Sequence, residues 1–461
     1  MKHNNRARAP ARPGDNPPMI EGKRLAATAA PGTPVLHTIA NGVRLLAIPM
    51  PHVQSASVGI FLRVGSRDET PQSNGIGHVL EHMAFKGTAT RTAQEINLDA
   101  ERLGADVNAF TAKDITGYFM TGLGRHAGQL LRMTADIVLN STFPEDELQR
   151  ELEVIRQEAI EYEEDPEDCS SELLDRAIWG DHAMGMPVIG TLPNIERFTR
   201  DDLVRHVQAH HAAEKTVVAA AGNFDVDAFL ALGETLFAHM PRGHGSTAVV
   251  PAAYVGQSAG RRFTQVSQAF LNIAWPVAPT QPEDLAQQRW RIAASLAVYL
   301  FGEGMSSPLV DQVRERLGLA YSTHSAIDAG DAWANFVVHA VTTPEKLETL
   351  VTAAGALLRE QAASIDPVHL DRARNQLAFA RVRASERPYA TMERAVEELF
   401  AGGTVTPVPQ ALALIEDIGA EEVRAVFERM LQLPPSLALT GKGASARAAK
   451  DLAGRLTAAA R

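Results

Sequence analysis

His78, Glu81 and His82 stand within one helical turn, in the stretch GHVLEHMAFKG at 77–87. On a helix, positions four apart share a face, so the two imidazoles can converge on one ion while Glu81 lies beside them. Two neutral imidazoles suit a borderline-soft cation such as zinc, and a catalytic zinc site needs three protein ligands plus a position for water. A third ligand must then come from elsewhere. The segment 145–164, EDELQRELEVIRQEAIEYEE, offers it. Leu148, Leu152, Ile155 and Ala159 form an apolar stripe there, and Glu151 and Glu158 share one flank of that stripe. Glu163 and Glu164 point elsewhere and read as solvated. Histidines at this spacing are commonly plain surface or packed residues. The amphipathic setting, with a suitable acid downstream, is what lifts these above that background. A rival cluster, His206, His210 and His211 in RHVQAHHAAE, has tempting spacing but lacks a carboxylate at the offset a general base would need.

These side chains need a scaffold. VLHTIANGVRLLAIPM carries two apolar runs around Asn41-Gly42, a strong hairpin signal. In SASVGIFLRVGS the apolar residues fall at period two, which marks a strand. The motif helix follows over about 75–87, then a helix over 92–103, strands at ADVNAFTA and ITGYFMTG, and helices near 125–140 and 145–164. TVVAAAGNF reads as a buried strand. The weakly periodic stretch 241–260 reads as a linker. Beyond it come a strand at QAFLNIAWPV, helices over 283–301 and 306–316, and strands at GLAYSTHSA and WANFVVHAV. Helices over about 344–364 and 366–385 and a late strand at LALTGKG complete the series. The order of elements in the first half thus returns in the second, offset by roughly 210 residues. This predicts an α+β chain of two similar domains in tandem, 35–240 and 261–461, each with helices packed on a largely antiparallel sheet. ADVNAFTAKDITGYF is well placed to supply an edge strand, with Asn108, Ala109 and Phe110 as the residues to which an extended peptide would pair by main-chain bonds.

At 461 residues the chain is too long for one ordinary core. Its formal charge of −11 gives no support to a nucleic-acid surface, and no apolar run approaches the roughly 20 residues of a membrane span. Cys169 is the only cysteine, so no internal disulfide exists, and its acidic surroundings disfavour a nucleophilic thiolate. The first 34 residues, rich in Arg, Ala, Pro and Gly, read as a flexible tail without the apolar core of a signal peptide. A cytoplasmic chain is the resulting expectation.

The H-x-x-E-H order is that of the reversed zinc peptidases, and the wider NGIGHVLEHMAFKGT resembles the pitrilysin family, which includes insulin-degrading enzyme and the mitochondrial processing peptidases. In that family the third zinc ligand is a glutamate about 76 residues after the second histidine. Glu158 stands there, and Glu151 matches a second family glutamate seven residues earlier. GMPVIGTLPNIERFTRDDLVRHVQAHH and GEGMSSPLVDQVRERLGLAYSTHS extend the resemblance over most of the chain. It implies one Zn2+ per chain on His78, His82 and Glu158, with Glu81 as general base and Glu151 orienting a ligand or water. It also implies that Arg314 holds substrate backbone or oxyanion and that Tyr321 donates to the oxyanion. From the residues alone Arg314 would be an ordinary surface helix residue and Tyr321 a core strand residue. The implied activity is that of a zinc metalloendopeptidase on extended peptides. Long family members enclose substrate between two bowls, and this chain corresponds to one. A homodimer, or a heterodimer with a homologous subunit, is therefore expected, with Arg314 and Tyr321 acting in trans. The family also contains noncatalytic assembly subunits, but such a subunit has no physical need for His78, Glu81, His82 and Glu158 together.

Overall fold

A computed structural model describes residues 32–243, 249–277 and 285–460. Nearly all of the expected N-terminal tail lies outside the described residues. The first sheet holds β1 (Val35–Thr38), β2 (Arg44–Pro49), β3 (Ser55–Leu62), β4 (Asp106–Thr111), β5 (Thr116–Leu123) and β6 (Thr216–Gly222), in the order β1-β2-β6-β3-β5-β4. The second holds β7 (Ser258–Arg262), β8 (Ala269–Pro276), β9 (Ala320–Gly330), β10 (Trp333–Thr342) and β11 (Ser436–Gly441), in the order β7-β11-β8-β10-β9. Removing β1 makes the two orders equivalent, down to the single parallel pair in each, β2 with β6 and β7 with β11. The expected α+β class and repeated topology are therefore present.

Strand β6 explains how each sheet is covered. All seven of its residues are buried, and they face two different layers. Val218 and Ala220 join a core that includes Leu130 and Leu131 of the helix Ala127–Asn140 and Phe229, Leu230 and Phe237 of the helix Val226–Phe237. Val217, Ala219 and Ala221 meet Met392, Ala395, Val396, Leu399 and Phe400, which belong to the helix Pro388–Gly402 from the second half of the chain. The reciprocal contact also exists. The helix Pro166–Trp179, from the first half, sets Leu174, Ile178 and Trp179 against Ala274, Val337 and Ala438 of the second sheet. Each sheet thus wears its own helices on one face and a helix of the other half on the opposite face. Sequence periodicity does not reveal this exchange, because it reports that a face is apolar and not what covers it.

Three readings change. The stretch 306–316 contains a π-helical segment, Val310–Arg316, in place of a regular helix. Ordered structure resumes before residue 260, since β7 begins at Ser258, and Val255 and Gln257 already donate to the carbonyls of Ile178 and Ala177. Tyr321 begins not in the core but 80% exposed, because β9 is the free edge of its sheet. Among the described residues no helix is long and apolar enough to cross a membrane.

The tips of the β4–β5 and β9–β10 hairpins lock the halves together. Asp114, 5% exposed, accepts from Arg67, from the Trp333 indole N–H and, at 3.0 Å, from the Asp331 backbone N–H. Arg67 also donates to the Asp331 carbonyl at 3.0 Å, and Arg63 pairs with the Asp331 carboxylate. Removing one member of a buried charged set leaves the others unpaired in a poorly solvated place. Asp114→Ala is accordingly expected to lower the free energy of unfolding by about 3 kcal/mol or more, measured by chemical denaturation.

Candidate active site

The motif helix, Ile76–Ala84, is amphipathic in the simple sense. Ile76, Val79, Leu80 and Met83 are buried against Leu148, Leu152, Ile155 and Ala159 of the helix Glu145–Glu164. With the apolar stripes pressed together, the flanking residues of the two helices are forced to meet. His78, Glu81 and His82 come from one side, Glu151 and Glu158 from the other.

His78 Nε2 lies 3.9 Å from Glu158 Oε1, and His82 Nε2 lies 3.6 Å from Glu158 Oε2. One donor atom from each of His78, His82 and Glu158 falls within 4.8 Å of the others, and among the described residues this is the one such group of three metal-ligating side chains. Tetrahedral ligands about 2 Å from zinc stand roughly 3.3 Å apart, so the two histidine–Glu158 spacings need adjustments of less than an ångström. Two nitrogens and one carboxylate oxygen are also the donor types zinc takes at catalytic sites. Burial, then the neighbouring His82, lowers the His78 pKa to about 4, which leaves a neutral imidazole with a lone pair to give. The Glu158 side chain is 35% exposed, so the group opens to solvent on that side.

Glu151 stands behind the ligands. Its Oε2 is 3.1 Å from His82 Nδ1, and its Oε1 is 2.6 Å from Lys86 Nζ. An ionised Glu151 accepts from Nδ1–H and so turns the Nε2 lone pair of His82 toward Glu158. Lys86 was not singled out by sequence reasoning, although it lies four residues after His82 inside the same motif, just past the helix end at Ala84. Glu81 is outside the ligand group. Burial raises its carboxyl pKa, opposed by hydrogen bonds from Thr111 and by His82 and reinforced by Glu158. A carboxyl above its ordinary range beside this His-His-Glu group has the chemistry a general base needs.

Thr111 ends β4, which bonds only to β5 and leaves its other edge free. Asn108 is exposed there and its Oδ1 accepts from the Ala109 N–H at 2.8 Å, while Ala109 and Phe110 are half-buried. Arg314 and Tyr321 are not part of this assembly. Arg314 reaches Met305 Sδ at 3.7 Å and Glu315 at 3.5 Å, Tyr321 projects from β9, and neither bonds to His78, Glu81, His82 or Glu158. The His206 and His210 rings lie tilted with centroids 4.4 Å apart, and burial pushes His206 and His211 down to about 3 and about 4, but among the described residues no carboxylate completes a ligand set with them. Cys169 is buried, with Arg261 3.7 Å away, and burial raises its thiol pKa.

The contacts behind His82 make Lys86 and Glu151 one unit. Lys86→Met and Glu151→Gln are each expected to weaken zinc binding about 10-fold or more, read by competition with a chelator. The double substitution should cost little more than the worse single one.

Residues 44–192 match the family model described as insulinase (peptidase family M16), and residues 197–377 match the one described as peptidase M16 inactive domain. An uncharacterized zinc protease of Rickettsia bellii is 31% identical over 87% of this chain and 96% of its own length. Another, from Bacillus subtilis, is 30% identical over 87% of this chain and 97% of its own. In fold, the chain is similar to the crystal structure of a protease from Helicobacter pylori, with a TM-score of 0.80, 19% identity, and coverage of 89% of this chain and 100% of that one. The chain belongs to the insulinase family of peptidases, M16, in a short form of two tandem domains.

Proposed function

We propose that the protein is a zinc-dependent endopeptidase that hydrolyses peptide bonds in extended peptides or unfolded segments. The observation that carries this reading is the convergence of His78, His82 and Glu158, with Glu81 beside them and outside the ligand set. Zinc held by those three residues would polarise a carbonyl and acidify water. Glu81 would take a proton from the attacking water on its carboxylate and pass it to the leaving nitrogen. Glu151 and Lys86 would hold His82 in one tautomer throughout. The free edge of β4 would align the peptide by main-chain pairing, displacing the Asn108 side chain from the Ala109 N–H, and this mode selects weakly for sequence. Arg314 and Tyr321, which bond to none of the site residues within one chain, would be supplied by a second copy or by a homologous chain in a dimer, where Tyr321 would donate to the developing oxyanion.

A noncatalytic assembly subunit is the alternative reading, and Glu81 separates the two, since a scaffold has no use for a proton acceptor at that position. The purified protein is expected to contain about one zinc per chain and to cleave a quenched peptide, with loss of cleavage after chelation. Glu81→Gln should retain zinc and lose at least about 100-fold in kcat. Zinc-loaded wild-type protein inert toward every peptide tried would favour the assembly role. Mixing Glu81→Gln with Tyr321→Phe protein should restore part of the activity if the pair acts in trans. Demonstrated mixed dimers without recovery would refute that arrangement.

A further inference from the structure

Three functional side chains ride on one short helix, so their aim depends on how that helix is anchored at its start. Its N-cap is Gly75, at φ 100°, with no side chain to accept from the first-turn N–H groups. A side chain is sterically excluded there: a Cβ on Gly75 would lie 2.7 Å from Gly190 Cα, and Gly190 is itself at φ 90°. The missing acceptor is Glu69. Its Oε1 accepts from Gly77 N–H at 2.9 Å, and its Oε2 from Gly75 N–H at 2.8 Å and Asn74 Nδ2 at 3.0 Å. Glu69 is 5% exposed and takes no part in the chemistry described above. Asn74 also donates to the Pro187 carbonyl at 2.9 Å, and Asn194 Nδ2 donates to the carbonyls of Asn74 and Pro71 at 3.0 and 2.9 Å. The start of the helix is therefore tied to the 187–194 segment through the residues around Glu69.

Two facts make this more than an ordinary cap. A carboxylate at a helix N-terminus is favourable, and although burial opposes its charge, this one reaches the helix from six residues before the N-cap and grips two N–H groups at once. One of them, Gly77, directly precedes His78, so the peptide plane that Glu69 holds, Ile76–Gly77, lies one residue before the first ligand. We propose that Glu69 is a positioning residue for the metal centre. By clamping Gly75 and Gly77 it sets the axial position and rotation of the Ile76–Ala84 helix, and with them the angle at which His78, Glu81 and His82 meet Glu158. Displacements of about 1 Å at a reacting centre can cost 10²-fold in rate, so a small slip of this helix would be felt. The inference rests on the zinc-site reading above.

Glu69→Gln keeps the volume but turns an NH2 group toward one of the two backbone donors. It is expected to weaken zinc binding about 10-fold, measured by chelator competition, while the melting temperature of the metal-free protein falls by only about 4–8 °C or less. Glu69→Asp, which keeps the charge on a shorter stem, should recover part of that loss. Zinc affinity of Glu69→Gln within twofold of wild type would overturn the proposal, including the case in which only the melting temperature falls. If Glu69→Gln does not fold, Glu69→Asp is read by the same criterion, with about threefold weakening expected. Wild-type protein that takes up no zinc would sink the metal-site reading itself. Zinc-loaded wild type with indifferent Glu69 variants would sink only the clamp.

Discussion

The structure of the site depends on the contact between two apolar stripes. Val79, Leu80 and Met83 of one helix and Leu148, Leu152 and Ile155 of the other are all buried, and each such side chain contributes roughly 1.5–3 kcal/mol on removal from water. That term has work to offset. The same contact crowds two imidazoles and three carboxyl groups into one flank, where burial drives His78 neutral and pushes Glu81 toward its protonated form. Without the hydrophobic contact nothing would hold Glu158 against two histidines, because in the absence of a cation their mutual attraction is weak. The polar site is thus a by-product of apolar packing, and its geometry inherits the rigidity of that packing.

Around this contact the remaining parts sort by how they reach it. Lys86 and Glu151 act from behind through His82 Nδ1. Glu69 acts from the helix start through main-chain N–H groups. Thr111, the last residue of the open edge strand, hydrogen-bonds Glu81, so the proposed proton acceptor and the surface proposed to align a peptide share a hydrogen bond. Arg314 lies on the π-helical segment and Tyr321 on the second sheet, neither bonded to the centre within the chain, and the exposure of Tyr321 on a sheet edge suits a residue that works at an interface.

Much of this was legible in the residues. The stripe Leu148, Leu152, Ile155 and Ala159 predicted which side of its helix would be buried, and so which glutamates would flank the histidines. The hairpin at Asn41-Gly42 and the period-two run in β3 fixed two neighbours of the central strand, and the doubled order of elements foretold two sheets of one topology. What stayed hidden depends on distant partners. Tyr321 reads as core because aromatic strand residues commonly are, and only the sheet order places it at an edge. Lys86 and Glu69 carry no local signal of a role, which emerges only when Glu151 and the glycine pair are seen beside them. The strand β6 is apolar throughout, which signals burial on both faces, but no local pattern says that the second cover comes from residues 388–402.

That reciprocal cover has a consequence for what counts as a unit in this molecule. Cut at the linker, neither half would own a finished interior: each would expose one apolar sheet surface and carry one orphan helix whose apolar side fits the other piece. The arrangement is what two half-length chains would adopt after trading arms, with the peptide link added later as a tether. Folding autonomy therefore resides in the interlocked pair, and a break in the tether would leave the two pieces embraced by the same contacts that the intact chain uses.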